Sequence, residues 1–240
     1  MTAPVYVAAA IGEATIVLDG AEAHHAATVR RTRPGERIDI VDGRGTRARC
    51  VVAEVAKTAV SATVLEVVRE APPAPRITLV QALAKAGRDL AAVETATEYG
   101  AARFVPWQCE RAVVTWKGKE AKSRGRWQAT ALAAAKQSRR AWVPEVTGLK
   151  TTAEVIDAAL GEGARILVCH EEASAPVPDA RDAGELWIVV GPEGGITPGE
   201  IEAFEDAGAS VCSLSPHVLR SSSAGPFAIA ALSGMRLTSG

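Results

Sequence analysis

Short apolar runs alternate with longer helix-forming segments from residue 77 onward, and this alternation constrains the fold most. The runs are rich in β-branched residues and too short for helices, so we interpret them as buried strands. The predicted strands are Ile77–Ala82, Arg103–Trp107, Arg165–Cys169, Leu186–Val190 and Ser210–Leu214. The predicted helices are Arg88–Tyr99, Arg124–Arg139, Thr152–Leu160, Pro198–Ala207 and Ser223–Leu237. This alternation predicts an α/β fold, a parallel sheet with helices on both faces.

Residues 1 to about 70 show a different pattern, that of a small β domain. The stretches TIVLDG, ERIDIVDG, TRARCVVAEV and AVSATVLEVV are strand-like and are separated by turn-forming residues. Asp42–Gly45 (DGRG) suits a hairpin turn, and we predict one short helix at Ala21–Val29. Glu70–Arg76 (EAPPAPR) is proline-rich and is the best candidate for a linker. We therefore predict one domain over residues 1–71 and a second over residues 76–240.

Composition argues against several classes of protein. The 240 residues are 48% hydrophobic, which is enough for a packed core, but no apolar run approaches the roughly 20 residues that span a bilayer. The N-terminal segment has no basic region, so we predict no signal peptide. The four cysteines are far apart and the histidines lack metal-binding spacing. We expect a cytoplasmic protein with no membrane segment, no disulfide framework and no metal site.

The net charge of −1 conceals a strong asymmetry along the chain. Residues 117–140 carry eight basic residues against Glu120 alone, a net charge of +7. Residues 151–210 carry thirteen acidic residues against two arginines, a net charge of −11. Trp116, Trp127 and Trp142 are interleaved with the basic run. Cations that meet phosphates, together with flat rings that stack on bases, are typical of RNA binding.

The stretch VVGPEGGITPGEIEAF, residues 189–204, predicts a ligand-binding loop. Its glycines follow a predicted buried strand and precede a helix, for which Thr197 is a good N-cap and Pro198 a good first residue. Glu200 falls three residues after the cap, where it can complete a capping box. Ligands of open α/β sheets bind at the carboxyl ends of strands, which is where this loop lies.

The residue types in this loop favour a ligand with hydroxyl groups or positive charge over a phosphate. No Walker lysine follows the glycines, the spacing is not that of a dinucleotide loop, and Glu193 would repel an anion. Two more strand-end segments, LVCHEE and CSLSPHVLRSSSAG, are candidates to share the pocket. Two of these three segments are acidic, which suits a cationic nucleoside.

Several motifs, in order along nearly the whole chain, resemble the RsmE family of ribosomal RNA small-subunit methyltransferases, of the SPOUT class. The motifs are HHAATVRRTRPGERIDIVDGRG, QALAKAGRDLAAVETATEYGAARFVPWQCERAV, KQSRRAWVPEV, VVGPEGGITPGEIEAF and LSPHVLRSSSA. The resemblance implies a PUA-like β-barrel followed by a trefoil-knotted α/β domain that binds S-adenosylmethionine in the knot. It also implies a homodimer that methylates uridine N3 in 16S rRNA, as part of the 30S subunit.

The resemblance also implies a set of cofactor-binding residues at the three strand-end segments. Glycines there would allow close approach of the backbone to the ligand, and apolar residues would enclose the adenine. The candidates are His170, Glu171, Val190, Gly191, Glu193, Gly194, Gly195, Leu214, Ser215, Val218, Leu219 and Ser222. Each has a plainer alternative, such as a turn glycine, a core residue or a solvated acid.

Arg220 matches the arginine of the family's Leu-Arg motif and is the candidate catalytic residue. Methyl transfer to uracil N3 requires loss of a proton, and a fixed cation would stabilise the resulting anion. Arginine stays protonated and cannot itself be the base. Glu193, His217, a phosphate oxygen and water all remain open for that role. The alternative for Arg220 is a salt bridge to the acidic half of the chain.

A set of basic residues is predicted to contact RNA phosphates, which set affinity without specifying sequence. They are Arg30, Arg31, Arg33, Lys85, Arg88, Arg111, Arg139 and Arg140. Taken singly, each is also explained as a solvated charge.

The chain departs from the family's pattern at Ser215, where a glycine is usual, and at the triplet Ser221–Ser223. We expect the triplet to keep hydroxyl groups for capping the last helix. These departures leave two alternatives open. One is a SPOUT enzyme that acts on another nucleoside or on a ribose 2′-hydroxyl. The other is a non-catalytic RNA-binding protein of ribosome assembly.

Overall fold

The computed structural model describes residues 3–180 and 182–233, which fall into two units. The first unit holds the described residues up to Pro72 together with Ala135–Val143. The second holds Pro73–Ala134 and the described residues from Pro144 onward. No signal in the sequence indicated that Ala135–Val143 would group with the N-terminal residues.

The first unit is built on a five-stranded sheet with the order β1-β3-β4-β5-β2. Its strands are β1 (Val5–Val7), β2 (Thr15–Asp19), β3 (Arg37–Val41), β4 (Thr46–Val55) and β5 (Ala59–Arg69). The pairs β3–β4, β4–β5 and β2–β5 are antiparallel, so the predicted hairpin at residues 42–45 is confirmed. Buried and exposed residues alternate along β2, as expected for a sheet with one face on the core.

The predicted helix at residues 21–29 begins one residue earlier and has two parts. An α-helix, α1 (Gly20–His24), continues into a π-helix at His25–Val29. Sequence periodicity does not distinguish these helical forms, because it reports only which side of the segment is apolar. Strand β1 was missed, since three residues give too short a pattern to recognise.

The segment 135–143 is held in the first unit by packing and hydrogen bonds. Ala141 packs with Val5 and Val41 in a small buried cluster. The indole nitrogen of Trp142 donates to the carbonyl oxygen of Glu70 at 3.2 Å. Gly45 lies against the Trp142 ring, where an added Cβ would be only 2.5 Å from a ring carbon. A side chain at position 45 would therefore displace this tryptophan.

The second unit contains the predicted parallel sheet. Its strands are β6 (Arg76–Ala82), β7 (Arg103–Trp107), β8 (Glu145–Val146), β9 (Arg165–Cys169), β10 (Glu185–Val190) and β11 (Ser210–Cys212). Their order is β11-β9-β10-β6-β7-β8, and every neighbouring pair is parallel. The short β8 was not predicted, and the last strand ends at Cys212 instead of Leu214.

Helices cover both faces of this sheet, as predicted. They are α2 (Arg88–Glu98), α3 (Glu120–Gln137), α4 (Thr152–Gly161), α5 (Pro198–Asp206) and α6 (Ser221–Leu232). One buried cluster joins the sheet to α2, α3 and α6, through residues such as Val93, Trp127 and Ile229. The other joins the opposite face to α4 and α5, through Val155 and Phe204. Among the described residues, no helix combines the length and apolar composition that crossing a bilayer requires.

Two expectations about helix ends and tryptophans were wrong. Arg220, and not a serine, is the N-cap of α6, and it makes no capping hydrogen bond through its side chain. The serine triplet forms the first helical turn, while residues 234–237 of the predicted helix lie outside the described residues. Trp116 and Trp127 are 4% and 2% exposed and pack edge to face, so they are core residues and offer no face to RNA bases. Trp116 precedes α3 and Trp127 lies on it, and the basic residues around them gave no indication that the rings would be buried.

Candidate functional site

Four neighbouring strands end at the same edge of the parallel sheet, and their loops build the candidate site. Because β11, β9, β10 and β6 are adjacent and parallel, their carboxyl ends meet there. The loops that follow begin at Ser213, His170, Gly191 and Leu83 respectively. The sequence predicted the first three as ligand-binding segments. The fourth adds the start of α2, and with it Arg88.

The glycine loop at residues 191–196 is anchored by the capping box predicted from the sequence. Thr197 accepts a hydrogen bond from the Glu200 backbone, and Glu200 accepts one from the Thr197 backbone. Glu200 is 3% exposed, and its Oε1 also accepts from the Glu110 backbone at 3.0 Å and from Thr152 Oγ1 at 2.8 Å. This one carboxylate therefore joins the end of the loop to two other segments of the unit.

Two glycines of this loop have no room for a side chain or adopt a backbone that disfavours one. A Cβ on Gly191 would lie 2.7 Å from Cγ1 of Ile196. Gly195 has a φ of 75°, in the left-handed region. At Gly194 the limit is softer, since a Cβ there would lie 3.4 Å from Arg111, whose Nη1 donates to the Gly194 carbonyl at 3.1 Å. The loop thus keeps its backbone close to the space beside it.

That space is a cavity of about 250 Å³ beside a smaller one of about 50 Å³, and the two share Cys169, Glu171, Leu219 and Ala224. The larger cavity is also lined by Arg88, Val190, Gly191, Pro192, Glu193, Gly195, Ile196, Val218, Arg220 and Ser221. The smaller is also lined by His170, Ser213, Leu214, Ser215 and His217.

Most of the predicted cofactor residues lie at these cavities. Gly194 and Ser222 line neither one. Leu214 and Leu219 line a cavity and also pack against the buried cluster, so core packing is confirmed for both and contact with the cofactor stays a prediction. The sequence did not predict the other lining residues, which are Cys169, Pro192, Ile196, Ser213, Ser221 and Ala224. Each is next to or within a predicted segment, so the segments themselves were the available signal.

Arg88 and Glu193 form an ion pair at the larger cavity. Arg88 Nη1 donates to Glu193 Oε1 at 2.8 Å. Burial alone would raise the pKa of the Glu193 carboxyl, but the hydrogen bond and charge of Arg88 lower that pKa below its ordinary value. The sequence predicted Arg88 only as an RNA contact. It could not show that the helix after β6 starts beside the glycine loop.

Arg220 lies at the same cavity and is exposed. It makes no ion pair with any residue that the structure describes, so the salt-bridge alternative for this side chain has no partner there. Its backbone N-caps α6, which fixes the position from which the side chain extends. A guanidinium held in this way is available to a negatively charged group in the cavity.

The predicted RNA contacts are distributed over both units. In the first unit Arg30, Arg31, Arg33 and Arg139 are exposed, while Arg140 is partly buried. Burial lowers the pKa of Arg140 to about 10, so this arginine still carries its charge at neutral pH. In the second unit, Lys85 and Arg111 are exposed, and Arg88 is the residue that pairs with Glu193.

The structure groups no three His, Cys, Asp or Glu side chains, among those it describes, as a metal centre would require. His170 instead takes part in a turn, in which its Nδ1 accepts from the Glu172 backbone at 3.3 Å. The side chains at the cavities are therefore a mixture of carboxylates, arginines, small apolar residues and glycine.

Comparison with known proteins shows which family the chain belongs to. The RNA methyltransferase domain family matches residues 71–233, and the RNA methyltransferase PUA domain family matches residues 18–65. The chain is 46% identical to ribosomal RNA small subunit methyltransferase E of Mycobacterium bovis, over 91% of this chain and 86% of that protein. It is 32% identical to the Bacillus subtilis protein of the same name, over 91% of this chain and 90% of the other.

The chain belongs to the ribosomal RNA small subunit methyltransferase E family. A solved member, from Neisseria gonorrhoeae and bound to S-adenosyl methionine, is 28% identical and superposes with a TM-score of 0.87 over 96% of both chains. The family resemblance and the PUA-like and SPOUT-type fold expected from the motifs are thereby confirmed. The trefoil knot stays a prediction.

Proposed function

We propose that this protein transfers a methyl group from S-adenosylmethionine to N3 of a uridine in 16S rRNA. The observation that carries the proposal is the cavity at the shared strand edge, which joins the glycine loop, two carboxylates and Arg220 in a member of the methyltransferase E family. The family name supports the rRNA substrate. The residues at the cavity support the chemistry.

The residues present fit the proposed cofactor. S-adenosylmethionine combines a flat apolar base, two ribose hydroxyls and a positively charged sulfonium. Val190, Ile196, Leu219 and Ala224 supply apolar surface for the base. The Glu171 carboxylate is suited to accept hydrogen bonds from hydroxyl groups and to attract positive charge. Gly191 has no side chain to separate its backbone from a ligand. A larger residue does not fit there, because its Cβ would collide with the Ile196 side chain.

When bound, the cofactor supplies an electrophilic methyl group, and the protein must present it with an ionised uracil. Loss of the N3 proton spreads negative charge over the two flanking carbonyl oxygens. Arg220 would bind those oxygens, and its position at the start of α6 and at the cavity supports this role. Donors fixed before the reaction stabilise developing charge without reorganisation. We therefore assign Arg220 the role of catalytic cation.

Glu193 is a weaker candidate for the base than the sequence alone implied. Arg88 holds it at 2.8 Å and lowers the pKa of its carboxyl, which reduces its affinity for a proton. We propose that this ion pair instead has a structural role, in which it helps to shape the mouth of the cavity. His217 lines the smaller cavity and remains a candidate for the base that removes the N3 proton.

Binding of the RNA is assigned to the PUA-like domain, residues 1–71, and methyl transfer to residues 76–240. The match of residues 18–65 to a PUA domain family supports the first assignment. The exposed arginines at positions 30, 31 and 33 support it further, since three cations lie close together in this segment of the chain. We expect them to contact phosphates and to leave base recognition to other groups.

We also propose a homodimer that acts on rRNA of the 30S subunit in the cytoplasm. Support for the dimer comes from large apolar side chains exposed near the cofactor cavity. Val218 is 79% exposed and Phe227, on α6, is 47% exposed. A second copy that covers them would remove apolar surface from water. Light scattering of the wild-type protein and of Phe227→Glu tests this. A monomeric wild type would contradict the dimer, and a dimeric variant would exclude Phe227 from its interface.

The central experiment is transfer of a labelled methyl group to 30S subunits, followed by nucleoside analysis. We expect label in 3-methyluridine. Label in another base or in a ribose 2′-O-methyl group would replace the proposed specificity with a different one. Cofactor binding without any transfer, in a sample with intact subunits, would favour the non-catalytic alternative.

A further inference from the structure

Two cysteines stand side by side at the cofactor cavity, and no step of the proposed reaction uses them. Cys169 is the last residue of β9 and Cys212 is the last residue of β11. The register of these parallel strands pairs them directly. Cys169 lines both cavities, whereas Cys212 is 1% exposed and belongs to the buried cluster against which Cys169 packs.

The spacing of such a pair permits a disulfide. Paired residues of neighbouring strands have Cα atoms about 4.8 Å apart, which falls inside the range of roughly 4.4–6.8 Å that disulfides span. Side chains of directly paired residues lie on the same face of the sheet, and here they also share one packed cluster.

We propose that Cys169 and Cys212 form a reversible disulfide, produced by hydroperoxides, that weakens cofactor binding. The inference rests on the proposed function for its effect on the cofactor, although the bond itself does not. The deprotonated sulfur of Cys169 takes the terminal oxygen of the hydroperoxide, the O–O bond breaks, and an alcohol or water leaves. Cys212 sulfur then attacks the sulfenic sulfur, and the oxygen leaves as water. Two thiols lose two electrons and two protons, and the hydroperoxide becomes an alcohol or water plus one further water.

The immediate surroundings of the pair affect the rates of the two steps in opposite directions. The hydrogen bond that Cys169 donates lowers the pKa of the Cys212 thiol, which suits the sulfur that attacks second. That same hydrogen bond, together with burial, raises the pKa of the Cys169 thiol. The first step is therefore slow at neutral pH and accelerates as the pH rises. The other two cysteines are poor competitors, since Cys50 and Cys109 are buried whereas Cys169 is partly exposed.

The bond would reach the cofactor through the residues that follow each cysteine. Glu171 lies two residues after Cys169, and Leu214 lies two residues after Cys212. The backbone of His170 already donates to the Cys212 carbonyl at 3.0 Å, so the two strand ends move together. Drawing two sulfurs from van der Waals contact to bonding distance displaces them by more than about 1 Å. Conversely, a bound cofactor would cover Cys169 and slow its oxidation, as linkage requires.

The test compares the reduced protein with protein treated with hydrogen peroxide. Peptide mapping should find a Cys169–Cys212 crosslink, with a mass loss of about 2 Da for the two hydrogens removed. Calorimetric titration with S-adenosylmethionine should show an affinity about tenfold weaker than in the reduced protein. Dithiothreitol should restore the affinity. The Cys212→Ser variant should form no intramolecular crosslink, because the sulfenic acid of its Cys169 lacks the Cys212 thiol with which it would condense.

A matched control removes the other two thiols and keeps the pair. The variant Cys50→Ala/Cys109→Ala should respond to peroxide as the wild type does. Absence of the crosslink, or a crosslinked protein with unchanged affinity, would overturn the inference while leaving the proposed function intact. A reduced protein that binds no S-adenosylmethionine would contradict the proposed function instead, and the peptide map would still decide whether the bond forms.

Discussion

At the scale of single residues, Arg220 gives the sharpest test of the proposed chemistry. Arg220→Lys keeps the charge but loses the planar pair of donors. Removing one preorganised donor costs on the order of 100-fold to 1000-fold in rate, so we expect a loss of that size for Lys and at least that for Ala. Cofactor affinity should change much less, because the contact matters once the uracil is ionised. Single-turnover methylation of 30S subunits and a separate cofactor titration measure the two effects.

The matched control for this prediction is Arg165→Lys, at the opposite end of β9 from the cavity, where Arg165 pairs with Asp182. It should retain the wild-type rate. An Arg220→Lys variant with the same rate as this control would remove Arg220 from catalysis. Equal losses of rate and cofactor affinity would make Arg220 a cofactor-binding residue.

A second residue-scale prediction concerns the glycine loop. Gly191→Ala places a methyl group 2.7 Å from Cγ1 of Ile196, so either the loop or the isoleucine must shift. Overpacking of this kind costs about 1–3 kcal/mol, and we expect cofactor affinity to fall by about tenfold or more. Gly199→Ala is the control, because a Cβ there meets nothing within 4 Å. Equal affinities in the two variants would place the cofactor elsewhere.

Some of these residue roles could be predicted from sequence, and others could not. Thr197 and Glu200 act within four residues of each other, so local spacing sufficed to predict their capping box. Arg88 and Glu193 are far apart in sequence, and only the order of the strands brings them together. Trp116 and Trp127 sit in a basic run whose charges suggested a surface, whereas the rings point into the core. Local composition therefore indicated the positive charge of this segment, but it did not indicate which of its side chains are buried.

At the scale of elements, the capping box of α5 connects stability to binding. Thr197→Ala should destabilise the protein by about 1 kcal/mol, the usual cost of losing an N-cap. It should also weaken cofactor binding, because residue 197 ends the glycine loop. Thr151→Ala is a matched control, since Thr151 forms the same kind of capping box at α4, with Glu154 in place of Glu200. Denaturation and cofactor titration of both variants should show a shared loss of stability and an affinity loss in the first alone.

Elements were predictable where their pattern was long enough to repeat. Strand β7 has the bounds that its apolar run predicted, and β10 extends beyond its run by one residue. Strand β8 has two residues and β1 has three, so neither shows a period. The predicted last strand continues to Leu214, whereas the observed strand ends at Cys212, and Ser213 pairs with Pro176 in an isolated bridge.

At the scale of the whole molecule, charge should control the affinity for RNA. Arg30 and Arg139 are exposed arginines of the first unit. If each contacts one phosphate, Arg30→Ala/Arg139→Ala should lower the slope of log affinity against log salt by about 2. Arg49→Ala is the control, because Arg49 is already paired with Glu66 at 2.7 Å. Filter binding over a range of salt concentrations measures the slope. An unchanged slope in the double variant would show that neither arginine contacts a phosphate and that both are solvated charges.

Stability of the whole chain should also depend on pH through Glu162. Hydrogen bonds from Arg103 lower the pKa of the Glu162 carboxyl below its ordinary value of 4.5, and Arg103 is itself only 8% exposed. A lowered pKa in the folded state adds stability above pH 4.5, and this stability is lost as the pH falls below it. The free energy of unfolding should therefore drop less steeply with acid in Glu162→Gln. Identical acid profiles for variant and wild type would contradict this.

The order of the strands at the cofactor edge has a consequence for biosynthesis. The cavity needs Arg88 from one end of the second unit and Ala224 from the other, and β11 reaches its place only by pairing with β9. Pairings between distant segments form late, because the entropy of closing long loops must be overcome first. A nascent chain therefore has no partial version of this pocket. The ability to bind the methyl donor arises in one step, after α6 has left the ribosome, so cofactor binding reports that this unit has finished folding.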